Sequence, residues 1–225
     1  MTPYLAKVAT SNTIDSCKIK AVLFDFDGTL ANTLTLGLEV FNNYAKTHGY
    51  KEVNSQDQLE QYRSMSTLKI IESMGISLIK LPFIVSDLRK RMGEKIHLVE
   101  PIGNIVPVVK VLAKRYTLGI ITSNSRHNVD IFLNRHNLTD EFQYFSTSIK
   151  LFGKSKRLKR FLAREKLDPD HVVMIGDETR DIEAARKCGV SIISVSWGFQ
   201  TFSVLNQMQP DFLVSHPHEI QEILT

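Results

Sequence analysis

Ala21-Val22-Leu23-Phe24-Asp25-Phe26-Asp27-Gly28-Thr29-Leu30 is the stretch whose reading decides the fold. Apolar residues carry a strand, from about Ile19 to Phe24, into a core and end it in two aspartates one residue apart. In open α/β sheets the carboxyl ends of the strands are where ligands bind. Two crowded carboxylates repel and each is costly to desolvate, so the pair asks for a cation or a proton. A divalent metal meets that demand. Hard oxygen donors in a catalytic setting point to Mg²⁺.

Beyond Leu30 the period changes. Leu34, Leu38, Phe41 and Ala45 recur at steps of four and three, and Gly49 stands where a helix C′ residue belongs, which predicts a helix over about Thr35 to His48. Apolar positions at Leu59 and Tyr62, at Leu68, Ile71 and Met74, and at Ile84, Leu88 and Met92 extend the helical pattern to Leu98 with no convincing strand. From Ile102 onward helices and short strands alternate, the mark of βαβ units. The strands fall near Thr117 to Ile121, Tyr144 to Ser146, Val172 to Ile175, Ser191 to Val195 and Phe212 to Val214. The helices between them fall near Ile105 to Lys114, Asn128 to His136, Ser155 to Glu165 and Asp181 to Cys188, with a last one from Pro217. The expected fold is α/β: a Rossmann-like parallel sheet core over 19–33 and 101–225, an inserted all-helical cap over 34–100, and a loosely packed leader over 1–18.

A chain of 225 residues, 43% hydrophobic and 23% charged, has room for a sizeable core and no signature of disorder. No apolar run approaches the ~18 residues of a membrane span, and the first twenty residues lack the apolar core of a signal peptide. The expectation is a cytoplasmic protein that does not engage membranes. Cys17 and Cys188 form no CxxC pair, which argues against a zinc ribbon or a disulfide framework. The net charge of +4 is spread among acids, so nucleic acid is not the expected partner. The one dense basic cluster, Lys154, Lys156, Arg157, Lys159 and Arg160, reads first as a solvated helix face, with an RNA patch or a phosphate-attracting rim as alternatives. Nothing in the pattern specifies an oligomeric state.

Three more strand ends carry polar residues. Leu118 to Ile121 runs into Thr122-Ser123-Asn124, a hydroxyl with backbone N–H groups suited to an anionic oxygen. Phe152-Gly153-Lys154-Ser155 sets a lysine at the opening of a helix, whose dipole adds to its charge. Val172 to Ile175 leads to Gly176-Asp177-Glu178-Thr179-Arg180-Asp181, acids four apart at another strand end. Two competing motifs fail on their spacing. A calcium loop beginning at Asp25 needs Gly and Glu where Leu30 and Leu36 stand, and a P-loop ending at Gly153-Lys154-Ser155 needs Gly at Ser148.

Taken in order, these four segments resemble the motifs of the haloacid dehalogenase superfamily: DxDGT at Asp25 to Thr29, Thr122 after an apolar strand, Lys154, and GDxxxD at Gly176 to Asp181. The helical block between the first two resembles the small cap of that superfamily's phosphoglycolate phosphatase-like branch. One departure is visible: Lys154 is followed by Ser155 rather than the proline of many relatives.

The resemblance implies a Mg²⁺-dependent phosphatase acting on a small phosphorylated metabolite, phosphoglycolate being one candidate, through an aspartyl-phosphate. Asp25 is implied as the nucleophile and Asp27 as the acid and base. Thr122 and Lys154 are implied as ligands of the phosphoryl oxygens. The metal is implied at Asp25, Asp177 and the backbone carbonyl of Asp27, with Asp181, Ser123 and Gly28 in support. A phosphomutase of the same superfamily is the nearest alternative, and a non-catalytic binding protein on this scaffold the more distant one. An anionic substrate would need a cation from the inserted block, for which Arg63 is one candidate against a plain solvated reading. Met65, Met74 and Met92 read as core fillers, and Glu178 and Arg180 as local surface residues.

Overall fold

In the computed structural model, which describes residues 14–148 and 153–225, six strands form one parallel sheet in the order β3-β2-β1-β4-β5-β6. The strands are β1 (Ala21–Phe24), β2 (Thr117–Thr122), β3 (Phe142–Thr147), β4 (Val172–Gly176), β5 (Ser191–Val195) and β6 (Phe212–Val214). Between β1 and β2 come α1 (Leu34–His48), α2 (Gln56–Arg63), α3 (Thr67–Ser73), α4 (Leu81–Lys95) and α5 (Ile105–Ala113). The rest are α6 (Arg126–Arg135), α7 (Lys154–Glu165), α8 (Thr179–Arg186), α9 (Phe202–Gln207) and α10 (Pro217–Leu224).

Side chains alternate across a strand, so each strand feeds two cores. Val22, Phe24, Leu118, Ile120, Val173, Ile175 and Ile193 pack with Val109 and Leu112 of α5, Phe132 of α6 and Ile220 of α10. On the other face Leu23, Ile121, Met174 and Ile192 pack with Leu158 and Phe161 of α7, Ile182 of α8 and Leu205 of α9. A third cluster, Tyr44, Ile71, Ile76, Leu81 and Ile84, belongs wholly to α1, α3, α4 and the turn between the last two. The inserted helices therefore hold together through their own apolar contacts.

Element boundaries differ from the sequence reading where caps intervene. Gly49 does end α1 in the left-handed conformation, with its N–H on Ala45 O. Helix α8 begins two residues before Asp181, because the Asp181 carboxylate turns back to accept the Glu178 N–H at 3.1 Å. Helix α9 carries no periodic signal, since only Leu205 in it is buried. Residues 1–13 of the expected leader lie outside the described residues. Ile14 packs against the first core cluster, and no described helix is long and apolar enough to cross a membrane.

Candidate active site

Three adjacent central strands deliver the site. Phe24 sits in register with Ile120 on one side and Ile175 on the other, so β2, β1 and β4 end together and present Thr122, Asp25 and Asp177 along one edge. The Asp25 N–H donates to Ile175 O at 2.8 Å, extending the ladder by one rung and fixing its side chain over that edge. Its Oδ1 accepts the Phe26 N–H at 2.8 Å, and its Oδ2 pairs with Lys154 Nζ at 2.6 Å. Lys154, at the start of α7, also pairs with Asp181. Carboxylate oxygens of Asp25, Asp177 and Asp181, all buried, lie within 4.8 Å of one another.

Asp27 stands outside that cluster. Both of its carboxylate oxygens accept from Asn124 Nδ2, at 3.0 and 3.2 Å. The Asn124 amide is oriented in turn, because its Oδ1 accepts from Ser125 N and from Asn128 Nδ2 at 2.8 and 2.9 Å. Thr122 is fully buried, and its Oγ accepts the Asn124 N–H at 2.9 Å, leaving the hydroxyl proton to donate. Ser123 beside it is half-buried.

The charges explain the titration directions. Burial pushes Asp27 and Asp25 upward, with Lys154 opposing at Asp25 and Asn124 opposing at Asp27. Asp177 is pushed well up, by burial first and then by Glu178, Asp25 and Asp181. Its own hydrogen-bond donors are neutral, Thr29 Oγ1 and Phe199 N, both at 2.7 Å. Asp181 is pushed up to about 6 by burial, against the pull of Lys154. Burial pulls Lys154 down, but Asp181 and Asp25 outweigh it and the net direction is upward. Three buried anions thus share one ammonium. That imbalance and the hard oxygen donors fit a divalent cation between Asp25 and Asp177.

Glycines make the room for Asp177. A Cβ on Gly28, whose φ is +75°, would lie 2.3 Å from Asp177 Oδ2, and one on Gly198 would lie 2.3 Å from both Oδ2 and Cβ. Gly198→Ala should therefore displace Asp177 and lower kcat by about 10²-fold, since ångström-scale misplacement costs that much. Titrating Mg²⁺ against turnover checks it, with a higher Mg²⁺ concentration expected for half-maximal rate in the variant.

Several contacts join the inserted helices to this edge. Arg63 is no free surface cation: its Nε and Nη2 donate to the carbonyls of Phe199 and Gly198 at 2.9 and 3.0 Å, and Nη1 pairs with Glu60 at 2.6 Å. Thr201 N donates to Arg63 O at 3.2 Å, and Gln200 Nε2 to Met65 O at 2.8 Å. Glu178 and Arg180 are also not surface residues. They form a largely buried ion pair, and Glu178 accepts from Thr67 at the start of α3. The Trp197 indole N–H donates to Thr29 O at 3.3 Å.

The basic cluster on α7 divides by face. Lys154 and Arg157 are buried, whereas Lys156, Lys159 and Arg160 are exposed. Arg157 feels the Asp25 charge, and its Nε and Nη2 have no hydrogen-bond partner among the described residues. Asn124, Thr29 and Phe199 N were not singled out by the sequence reading. For Asn124 the available signal was its place two residues after Thr122.

The chain matches the model of the family described as haloacid dehalogenase-like hydrolase over residues 22–195. It is 31% identical to a phosphoglycolate phosphatase of Synechococcus elongatus, over 92% of this chain and 98% of that protein. It is 26% identical to a pyrophosphatase PpaX of Oceanobacillus iheyensis, over 92% and 96% respectively. Its fold resembles the solved structure of a haloacid dehalogenase-like hydrolase from Streptococcus pneumoniae, with a TM-score of 0.77 at 22% identity, covering 93% of this chain and all of that one. With the family model spanning most of the chain and all four motif segments converging on one sheet edge, the protein belongs to the haloacid dehalogenase-like hydrolases.

Proposed function

We propose that this chain is a Mg²⁺-dependent phosphatase that hydrolyses a small phosphomonoester through an aspartyl-phosphate on Asp25. The observation that carries the reading is the buried cluster of Asp25, Asp177 and Asp181 around Lys154. Asp25 and Asp177, with the backbone carbonyl of Asp27, would hold Mg²⁺. When bound, the ion supplies positive charge to the phosphoryl oxygens and to the crowded carboxylates.

Asp25 is the nucleophile: its Oδ bonds to phosphorus as the ester P–O bond breaks. Its carboxylate is oriented by the Phe26 N–H on Oδ1 and by Lys154 on Oδ2. Asp27, raised by burial and aimed by Asn124, donates its proton to the leaving alcohol oxygen. As a carboxylate it then takes a proton from water, whose oxygen bonds to the same phosphorus and expels Asp25. The Thr122 hydroxyl and Lys154 ammonium hold phosphoryl oxygens, and Asp181 positions Lys154. Phosphoryl transfer asks for positioning and charge stabilisation more than covalent chemistry, which is what this donor set provides. The helices over 34–100 act as a cap, docked through Arg63, Met65 and Thr67, that excludes water until the second step.

The test is to quench a turning-over reaction with borohydride, which reduces an aspartyl-phosphate to homoserine. Homoserine at position 25, with free phosphate as product and both abolished by chelator, is the expected result. An isomerised sugar phosphate in place of free phosphate would mean a mutase. No labelling and no turnover would favour a binding protein.

A further inference from the structure

Between the inserted helices and Asp27 lies a cavity of about 270 Å³. Leu38 and Phe41 of α1, Tyr62 of α2, Ile70 of α3, Met74 at the end of α3 and Met92 of α4 are among its walls, and Phe199 closes it near Asp177. Its charged members are Asp27 and Glu178, both at the sheet edge, and no lysine or arginine lines it among the described residues. Met74 and Met92, read from sequence as core fillers, face this space.

We propose that the alcohol released by the enzyme is apolar: an alkyl or aryl monophosphate seats its ester oxygen at Asp27 and its hydrocarbon in this cavity. The inference rests on the phosphatase reading and narrows it to a substrate class. The position of Asp27 in the wall is what links cavity to chemistry, because the group attached to the oxygen that Asp27 protonates must extend from that wall. A carboxylate such as that of phosphoglycolate, or the second phosphate of pyrophosphate, would enter an apolar space with two acids at its mouth and no lysine or arginine among its described lining residues, a costly burial. Arg89 on α4, whose charge acts on Asp27, lies outside the lining. A hydrocarbon loses nothing there. An apolar cavity of about 150 Å³ already accepts a benzene ring, so this one suits a chain of about six to eight carbons or a fused aromatic ring.

The experiment compares kcat/KM with Mg²⁺ for ethyl, butyl, hexyl and 1-naphthyl phosphates, phosphoglycolate and pyrophosphate. Each buried methylene is expected to raise kcat/KM about fourfold, giving roughly 10²-fold from ethyl to hexyl, with both anionic substrates below hexyl phosphate. Gly37→Leu adds a control. Gly37 lines the cavity from the first turn of α1, its new Cβ would meet only Met92 Cε at 3.9 Å, and leucine favours the helix, so the variant should fold. Its added side chain fills the cavity and should lower the hexyl-to-ethyl ratio at least tenfold. A flat alkyl series with ethyl phosphate or phosphoglycolate turned over would overturn the apolar class while leaving the phosphatase reading intact. An unchanged ratio in Gly37→Leu would move the chain out of this cavity and overturn the assignment. No phosphate from any probe, together with no homoserine at position 25, would take both readings down.

Discussion

Asp25→Asn should cut turnover at least about 10⁴-fold with the fold retained. Loss of a covalent nucleophile removes the reaction's first bond, and losses of up to about 10⁶-fold follow such substitutions elsewhere. The amide keeps the shape of the carboxylate, so its oxygen still accepts the Phe26 N–H. What changes is charge. The amide carries no anion to attack phosphorus, and it forfeits the ion pair to Lys154. Lys154 keeps Asp181 as a partner, and Asp177 and Asp181 each lose a repelling neighbour. Those opposing changes leave the melting temperature within a few degrees of the parent, by circular dichroism. The same variant should give no homoserine at position 25. Turnover above a tenth of the parental rate would remove Asp25 from the nucleophile's role.

The sheet was legible because its strands carry their own signal. Val172 to Ile175 and Ser191 to Val195 are apolar runs bounded by turn residues, and both are strands with those limits to within a residue. Helix α9 was not legible, because a six-residue helix with one buried side chain imposes no period. At the site, residues next to a strand end could be found from sequence, since strand direction alone places them. Contacts made across the fold could not. Thr29 lies 148 positions from the Asp177 carboxylate it donates to, and Arg63 lies 135 from the Gly198 carbonyl it holds. Arg63 looked like a surface cation because nothing in its neighbourhood shows the backbone oxygens of a distant loop. Lys154 and Arg157 share a basic run with exposed lysines, and only the helix phase, set by Leu158 and Phe161 facing the core, separates them.

Lys154→Met should destabilise the protein by about 3–5 kcal/mol near pH 8 without added metal, the usual cost of removing one partner from a buried ion pair. Methionine fills the space of the lysine stem and leaves Asp25 and Asp181 as buried anions without their ammonium. The loss should shrink as the pH falls. Asp181 titrates near 6 in the folded protein against an ordinary 3.8, a raised carboxyl. Its protonation therefore favours the folded state: that contribution is fully present below about 3.8 and is lost as the pH rises through about 6. Without Lys154 the folded value moves higher still, so the variant sheds its anionic penalty by taking up a proton at a pH where the parent still holds the ion pair. Urea melts of the two proteins at pH 5 and pH 8 should then differ by much less at the lower pH. Turnover by the variant should fall about 10²- to 10³-fold, the loss that follows removal of one preorganised donor to developing charge. A stability gap that stays constant across this range would mean that Lys154 supports the site by packing alone, and that the carboxylate cluster is neutralised by some other means.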